Sequence, residues 1–231
     1  MANFTAGVLP ALAIDSLVIG ECEDLHAHCN MDTYAMPATQ GQLRFWSLDQ
    51  LNPGNPALNM PLMWKCTGDL NIKALAQAFT LCVIRHEVLR TTFDLIDRKL
   101  SQIIHPPAPI ELPVVDLEPL APVNQREEGD RLTREHAAFR FDLKNGPLLQ
   151  LKLLRFDHRR HLLLVSMHHI ICDGISNGIL MRDMVVFYES LLQGTQPNLP
   201  ELPIQFADFA VWQEQWLAGD EATASLDFWR N

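Results

Sequence analysis

The sequence predicts an α/β fold in which a mixed sheet is flanked by helices. Three observations carry this. Helix-like and strand-like patterns alternate from Pro37 onward. Residues 149–156 and 161–167 read as neighbouring strands joined by a short polar loop, a hairpin. Residues 175–193 place Ile175, Ile179, Met184, Phe187, Tyr188 and Leu191 near helical spacing, with Gly194 as the stop.

Taken in order, residues 1–36 look unlike the rest. Helical periodicity is poor there, and an acidic stretch with His26 and His28 follows an apolar one. The triplet Asp15-Ser16-Leu17 is similar to the attachment site of carrier proteins, but Ala13 stands where that motif has Gly. The stretch is read as a linker or a remnant of a neighbouring module, with a single subdomain over 37–231. Residues 37–51 predict a short helix, broken by Asn52-Pro53-Gly54-Asn55-Pro56. A strand over 58–67, a turn at Gly68-Asp69 and a helix over 71–87 follow, the helix with Leu75, Ala78, Phe79 and Cys82 on its apolar side. Residues 91–105 read as two strands around Asp97-Arg98-Lys99. Six prolines between 106 and 122 predict an extended, irregular segment before a charged helix over 124–139. Leu149, Leu151 and Leu153 alternate with polar residues, as in a half-buried strand, whereas His161 to Val165 is a continuous run suited to burial on both faces. Pro197, Pro200 and Pro203 mark a second extended linker, and helical patterns over 204–218 and 221–230 end the chain.

Composition narrows the function classes. The chain has 231 residues, of which 48% are hydrophobic and 20% charged, so it is too apolar to be mainly disordered. A net charge of −10 argues against a nucleic-acid binder, which needs a basic footprint. No uncharged apolar run approaches membrane-spanning length. Cys22, Cys29, Cys66, Cys82 and Cys172 are scattered without a CxxC pair, which points to neither a disulfide framework nor a zinc knuckle. The first positive charge is Arg44, so no secretory leader is read and a cytoplasmic location is expected.

The chemistry concentrates in Ser166-Met167-His168-His169-Ile170-Ile171-Cys172-Asp173-Gly174. Consecutive strand residues face opposite sides, so one imidazole can point into a cleft while the other anchors the backbone. Histidine suits proton transfer near neutral pH. The loop turns through Asp173-Gly174 into a helix, which brings backbone amides and a positive helix end close to the imidazoles. A bare His-His pair is most often structural, and Asp173 read alone is a helix N-cap. The full pattern His-His-x-x-x-Asp-Gly between a buried strand and a helix is far more specific.

That pattern resembles the HHxxxDG signature of condensation domains of nonribosomal peptide synthetases. Residues 85–93 are similar to the family's RHExLRTxF segment at every fixed position. Residues 42–51 look like its first motif, with Phe45 for the usual Leu and Ser47 for the usual Phe. Residues 206–213 resemble its YxDYAVWQ segment, with Phe for both tyrosines. The resemblance implies a chloramphenicol-acetyltransferase-like subdomain, one half of a condensation-domain pseudodimer whose C-terminal half lies outside this sequence. It also implies the donor and acceptor carrier proteins as partners, their phosphopantetheine arms supplied by those partners, with no intrinsic cofactor or metal, no nucleic acid and no membrane.

By resemblance, His169 is the catalytic imidazole in amide formation between two thioesters. His168 holds the loop, and Asp173 is structural and pairs with an arginine. Gly174 leaves room for a thioester arm and offers its amide to the oxyanion. Cys172 occupies a position the family does not use for catalysis. Arg85, His86, Glu87 and Arg90 are expected to form an internal ion network. Trp46 and Trp212 are read as packing residues. Arg155, Arg159 and Arg160 are candidates for a carrier-docking patch. Two other functions remain open at this point: an ester-forming acyltransferase of the same superfamily, and a non-catalytic module that recruits carrier proteins or other partners.

Overall fold

The computed structural model describes residues 3–5 and 32–230. In chain order the elements are β1 (Asn3–Thr5), β2 (Tyr34–Pro37), α1 (Gln40–Leu51), β3 (Asn59–Thr67), α2 (Ile72–Arg85), β4 (Thr91–Ile96), β5 (Lys99–Ile104), β6 (Val114–Asp116), α3 (Pro122–Ala137), β7 (Leu149–Arg155), β8 (Arg160–His168), α4 (Gly174–Gln193), α5 (Phe206–Leu217) and α6 (Asp220–Arg230). The main sheet runs β1-β3-β8-β7-β6. β8 is antiparallel to both neighbours, and the edge strands β1 and β6 pair in parallel. A second, antiparallel sheet runs β2-β5-β4.

The apolar run of β8 explains its central place. Leu163, Val165 and Met167 enter the principal core with Leu75 and Phe79 of α2 and Met184 and Phe187 of α4. Leu164, on the opposite face, packs with Leu132 of α3 and Leu154 of β7. A strand covered by helices on both faces needs apolar residues at successive positions. The expected hairpin forms, with Leu149 opposite Met167 and Leu154 opposite Leu162.

Local signals fix the element ends. Thr39 and Gln42 form a reciprocal capping box at the start of α1. Asn71 caps α2 by accepting from Ala74 N. Gly194 ends α4 in the left-handed conformation. Asp97 and Arg98 both take positive φ, which the two-residue β4–β5 turn requires.

Some segments differ from the sequence expectation. Ordered structure around Pro37 begins at Tyr34, because β2 pairs along β5 from Tyr34↔Ile104. The Pro-rich segment contains β6, whose pairing with residues 153–155 outweighs the breakers on either side. The charged helix begins at Pro122, since a proline fits the first helical turn, where its missing N–H costs nothing. The helix expected to reach residue 87 stops at Arg85 and gives way to a 3-10 turn over Glu87–Arg90. Asp15-Ser16-Leu17, Cys22, His26, His28 and Cys29 lie outside the described residues. Among the described residues, no helix is long and apolar enough to cross a membrane.

Candidate functional site

The pair His168-His169 sits where β8 ends. His168 is buried on the sheet. Its backbone N–H donates to Leu148 O of the neighbouring chain segment at 3.1 Å, so it is still held in the sheet. Its Nδ1 accepts from Ile170 N at 3.1 Å, a contact that stiffens the exit from the strand. A neutral ring that accepts at Nδ1 carries its proton on Nε2. Burial, reinforced by the neighbouring His169, pushes the His168 pKa down to about 4. His168 is therefore a neutral anchor at physiological pH.

His169 is half-buried and lies one residue beyond the strand. Its backbone N–H donates to Leu58 O at 2.8 Å, which fixes the main chain from the β3 side. Its Nδ1 is buried and has no hydrogen-bond partner. Nε2 is thus the ring nitrogen that faces the open side. One face of the imidazole stacks on Phe45 of α1, with ring centroids 4.5 Å apart and planes 17° apart.

Beyond His169 the chain turns into α4. The Ile171 N–H donates to His168 O at 3.0 Å, and the Asp173 carboxylate caps the helix by accepting from Ser176 N at 2.8 Å and Ser176 Oγ at 2.7 Å. These bonds, the Ser176 hydroxyl first, hold the Asp173 carboxyl below the usual range. The expected arginine partner of Asp173 is not found among the described residues. Asp173 is exposed at the helix end, where a cap satisfies its lone pairs and no buried cation is needed. Gly174 is also exposed, and a Cβ placed there would meet nothing within 4 Å. Its N–H makes no hydrogen bond among the described residues.

Cys172 is buried, with Sγ 3.5 Å from Met60 Sδ and 3.5 Å from His168 O. Burial pushes its thiol up to about 12, so no thiolate is available near neutral pH. Behind the loop lies an apolar cavity of about 210 Å³, bordered by Met167, Ile171, Cys172, Ile179, Ile204 and Phe206. A larger cavity, about 670 Å³, lies between the Pro-rich segment and β7 and is lined by neither motif histidine. Size alone does not locate the chemistry.

The sequence profile of the condensation domain matches residues 32–231. The chain belongs to the condensation-domain family. It is 38% identical over 196 residues to a linear gramicidin synthase polypeptide of Brevibacillus parabrevis, a match covering 85% of this chain and 2% of that protein. It is also 38% identical to chondramide synthase of Chondromyces crocatus, over 84% of this chain and 5% of that protein. The X-domain from teicoplanin biosynthesis superposes with a TM-score of 0.74 at 29% identity, covering 84% of this chain and 42% of that structure. The starter condensation domain of rhizomide synthetase has the same fold, with a TM-score of 0.77 at 21% identity, over 85% of this chain and 47% of that structure. The chain therefore spans less than half of these solved structures and a small part of the curated relatives.

Within this condensation-domain fold, the RHE segment is tied to α4 rather than to Asp173. The buried Asp183 carboxylate accepts from Arg85 Nε at 3.0 Å and His86 Nε2 at 2.8 Å through Oδ2, and from Arg182 Nε at 2.8 Å through Oδ1. Burial works against the charged form of Asp183, but the Arg182 and His86 bonds outweigh it and hold the carboxyl down. For His86, burial lowers the pKa and the Asp183 bond opposes without reversing the shift. A neutral His86 donating Nε2–H satisfies both groups. Arg90 pairs with Glu87 at 3.3 Å and donates to His105 O. Gln205 bridges Arg85 O and Glu87 N at 3.0 and 3.2 Å, so the second linker is clipped to the end of α2.

Sequence reasoning missed both Asp183, which reads as one polar position on a long helix, and the contact of Phe45 with His169. Trp46 packs partly buried against the core, but Trp212 is 55% exposed. Trp212 belongs to a row of rings along α5, Phe206, Phe209, Trp212 and Trp216, with successive centroids 5.8, 5.5 and 6.4 Å apart. Of the three arginines around residues 155–160, Arg155 is paired with Asp116 at 2.6 Å and Arg160 with Asp157. That leaves less free positive charge than a docking patch built on all three would offer.

Proposed function

We propose that this chain is the N-terminal half of a peptide-bond-forming condensation domain, and that His169 serves the reaction through Nε2. The amine of an acceptor thioester attacks the carbonyl carbon of a donor thioester, each on the phosphopantetheine arm of a carrier protein. The C–N bond forms first, giving a tetrahedral intermediate; its collapse breaks the C–S bond, and the proton lost by the amine ends on the departing thiol. His169 Nε2 accepts or steers that proton. The Gly174 N–H, at the positive end of α4, donates to the oxyanion of the tetrahedral intermediate. The open space around Gly174 suits a slender thioester arm.

The observation that carries this reading is the pairing of an outward-facing Nε2 with an unengaged amide at a helix start. Because a neutral amine needs little activation against a thioester, alignment of the two tethered substrates supplies much of the rate. The half-exposed His169 sees one wall only, so the opposite wall belongs to the C-terminal half. The exposed ring row on α5 is the sort of surface such a half would cover. Residues 1–231 alone are expected to be folded and inactive.

The test is amide formation between two loaded carrier proteins. In the complete condensation domain, His169→Ala is expected to lower turnover by about 10²–10⁴-fold with an unchanged melting temperature. Near-native turnover in that variant would sink the assignment, and so would substantial synthesis by residues 1–231 alone. A second reading, a non-catalytic recruiting module, draws on the solved complex of the teicoplanin X-domain with OxyB, whose X-domain is 29% identical to this chain. Partner binding without turnover, with and without His169, would favour it.

A further inference from the structure

A reactive imidazole is normally held in plane by a hydrogen bond that its other nitrogen donates to a carboxylate or a backbone carbonyl. His169 lacks that arrangement. Its Nδ1 is buried without a partner, and the nearby Asp173 carboxylate is engaged by Ser176. Only the main chain is fixed by a hydrogen bond, through His169 N to Leu58 O. This bond leaves the ring free to turn about its side-chain torsions. What lies against the ring is Phe45, near-parallel at 4.5 Å.

Phe45 is itself well placed to hold another group. Its helix begins at a reciprocal capping box, in which Thr39 N donates to Gln42 Oε1 at 2.9 Å and Gln42 N to Thr39 Oγ1 at 3.1 Å. The Gln42 amide then donates to Gln102 Oε1 of β5 at 2.9 Å, and Gln102 donates to Pro37 O at 2.8 Å. Phe45 also packs against the principal core. The start of its helix is therefore tied to the second sheet, and the ring is held by the core.

We propose that Phe45 is the positioning residue of His169: its ring fixes the imidazole plane so that Nδ1 stays buried and Nε2 faces the open side. The inference rests on the reading of His169 as the functional imidazole. Stacking takes the place of the missing Nδ1 hydrogen bond. An aromatic face restrains ring rotation over a broad area and adds no charge. In this chain the flat ring supplies the plane, which an aliphatic side chain of similar volume would not define. Phe45 occupies the motif position where the resemblance leads one to expect Leu, so Phe45→Leu is the informative substitution.

Two measurements test this. In the 231-residue chain, the His169 ring protons are observed by NMR in the wild type, Phe45→Leu and Phe45→Tyr. The expected result is loss of the ring-current shift in Phe45→Leu, with several exchanging ring environments, and retention of a single shifted environment in Phe45→Tyr. In the complete condensation domain, Phe45→Leu is expected to lower kcat about two- to twelvefold with KM little changed, from a stacking interaction of about 0.5–1.5 kcal/mol. Phe45→Tyr restores it. A merely structural role would lower the melting temperature but leave kcat and the single His169 environment intact in the folded fraction, which would overturn the proposal. Wild-type kcat in Phe45→Leu would also overturn it. If His169→Ala retains turnover, the functional reading of His169 fails instead, and the NMR result still decides whether Phe45 orders the ring.

Discussion

Lowering the pH from 7 to 5 should destabilise the fold well before its carboxylates titrate. The cause is a set of buried histidines, His136 and His168 foremost, with the pKa values of His86 and His161 lowered by burial as well. Burial, helped by Lys152, pushes the His136 pKa down to about 4, and burial helped by His169 does the same to His168. An unfolded histidine titrates near 6.5. Between about pH 6.5 and 4 the unfolded chain therefore takes up protons that the native chain refuses. The stabilisation is present in full above about pH 6.5 and is lost as pH falls toward 4. His136 and His168 each contribute about 2 kcal/mol of loss by pH 5 and about 3 kcal/mol by pH 4. For a chain of this size the pair should lower the melting temperature by about 10 °C between pH 7 and 5. Urea unfolding at pH 7, 6 and 5, followed by tryptophan fluorescence, measures the effect directly. His136 supplies the control. Both of its ring nitrogens are buried without partners, so His136→Leu removes a titrating group and breaks no hydrogen bond. The variant should lose about 2 kcal/mol of the pH dependence between pH 7 and 5 and be more stable than the wild type at pH 5. A midpoint that does not move from pH 7 to pH 5, or a His136→Leu variant with the full wild-type slope, would refute the reasoning.

Other outcomes follow from the same contacts. Asp183→Ala leaves Arg85 and His86 without their shared acceptor and should cost about 3–5 kcal/mol in denaturant unfolding; a cost below about 1 kcal/mol would show that the network does not stabilise the fold. Arg182→Ala should cost less than about 1 kcal/mol, because Arg182 is more than half exposed. Asp173→Ala removes an exposed N-cap and should cost about 1 kcal/mol; a loss several times larger would restore the buried ion pair expected from sequence. Cys172 should resist iodoacetamide at pH 8 in the native chain and react after unfolding, and rapid native labelling would contradict its buried, protonated state.

Much of the fold is legible in sequence because periodicity reports which face of an element is buried. The alternation at Leu149, Leu151 and Leu153 and the unbroken run from His161 to Val165 give the hairpin, and the paired register follows from them. The place of His169 just past the strand, with Asp173 and Gly174 opening a helix, is likewise a local property of strand, turn and cap signals. The resemblance motifs mark the same segments.

Local pattern therefore settles the α/β class, the order of the elements and the location of the chemical segment. Which groups meet is settled only by packing. Periodicity says that a face is covered and does not name what covers it. That the ring of Phe45 lies on His169, and that Asp183 rather than Asp173 receives Arg85 and His86, depends on how α1 and α4 approach the sheet. The outward row of Trp212 and its neighbours was equally hidden, since an amphipathic helix reads the same whether its apolar face meets this chain or another surface. Turns, caps and strand pairs are set by neighbours in sequence. Contacts between distant segments are set by the packing of the whole, where burying a charge or a ring is favourable only if the right partner arrives from elsewhere in the chain.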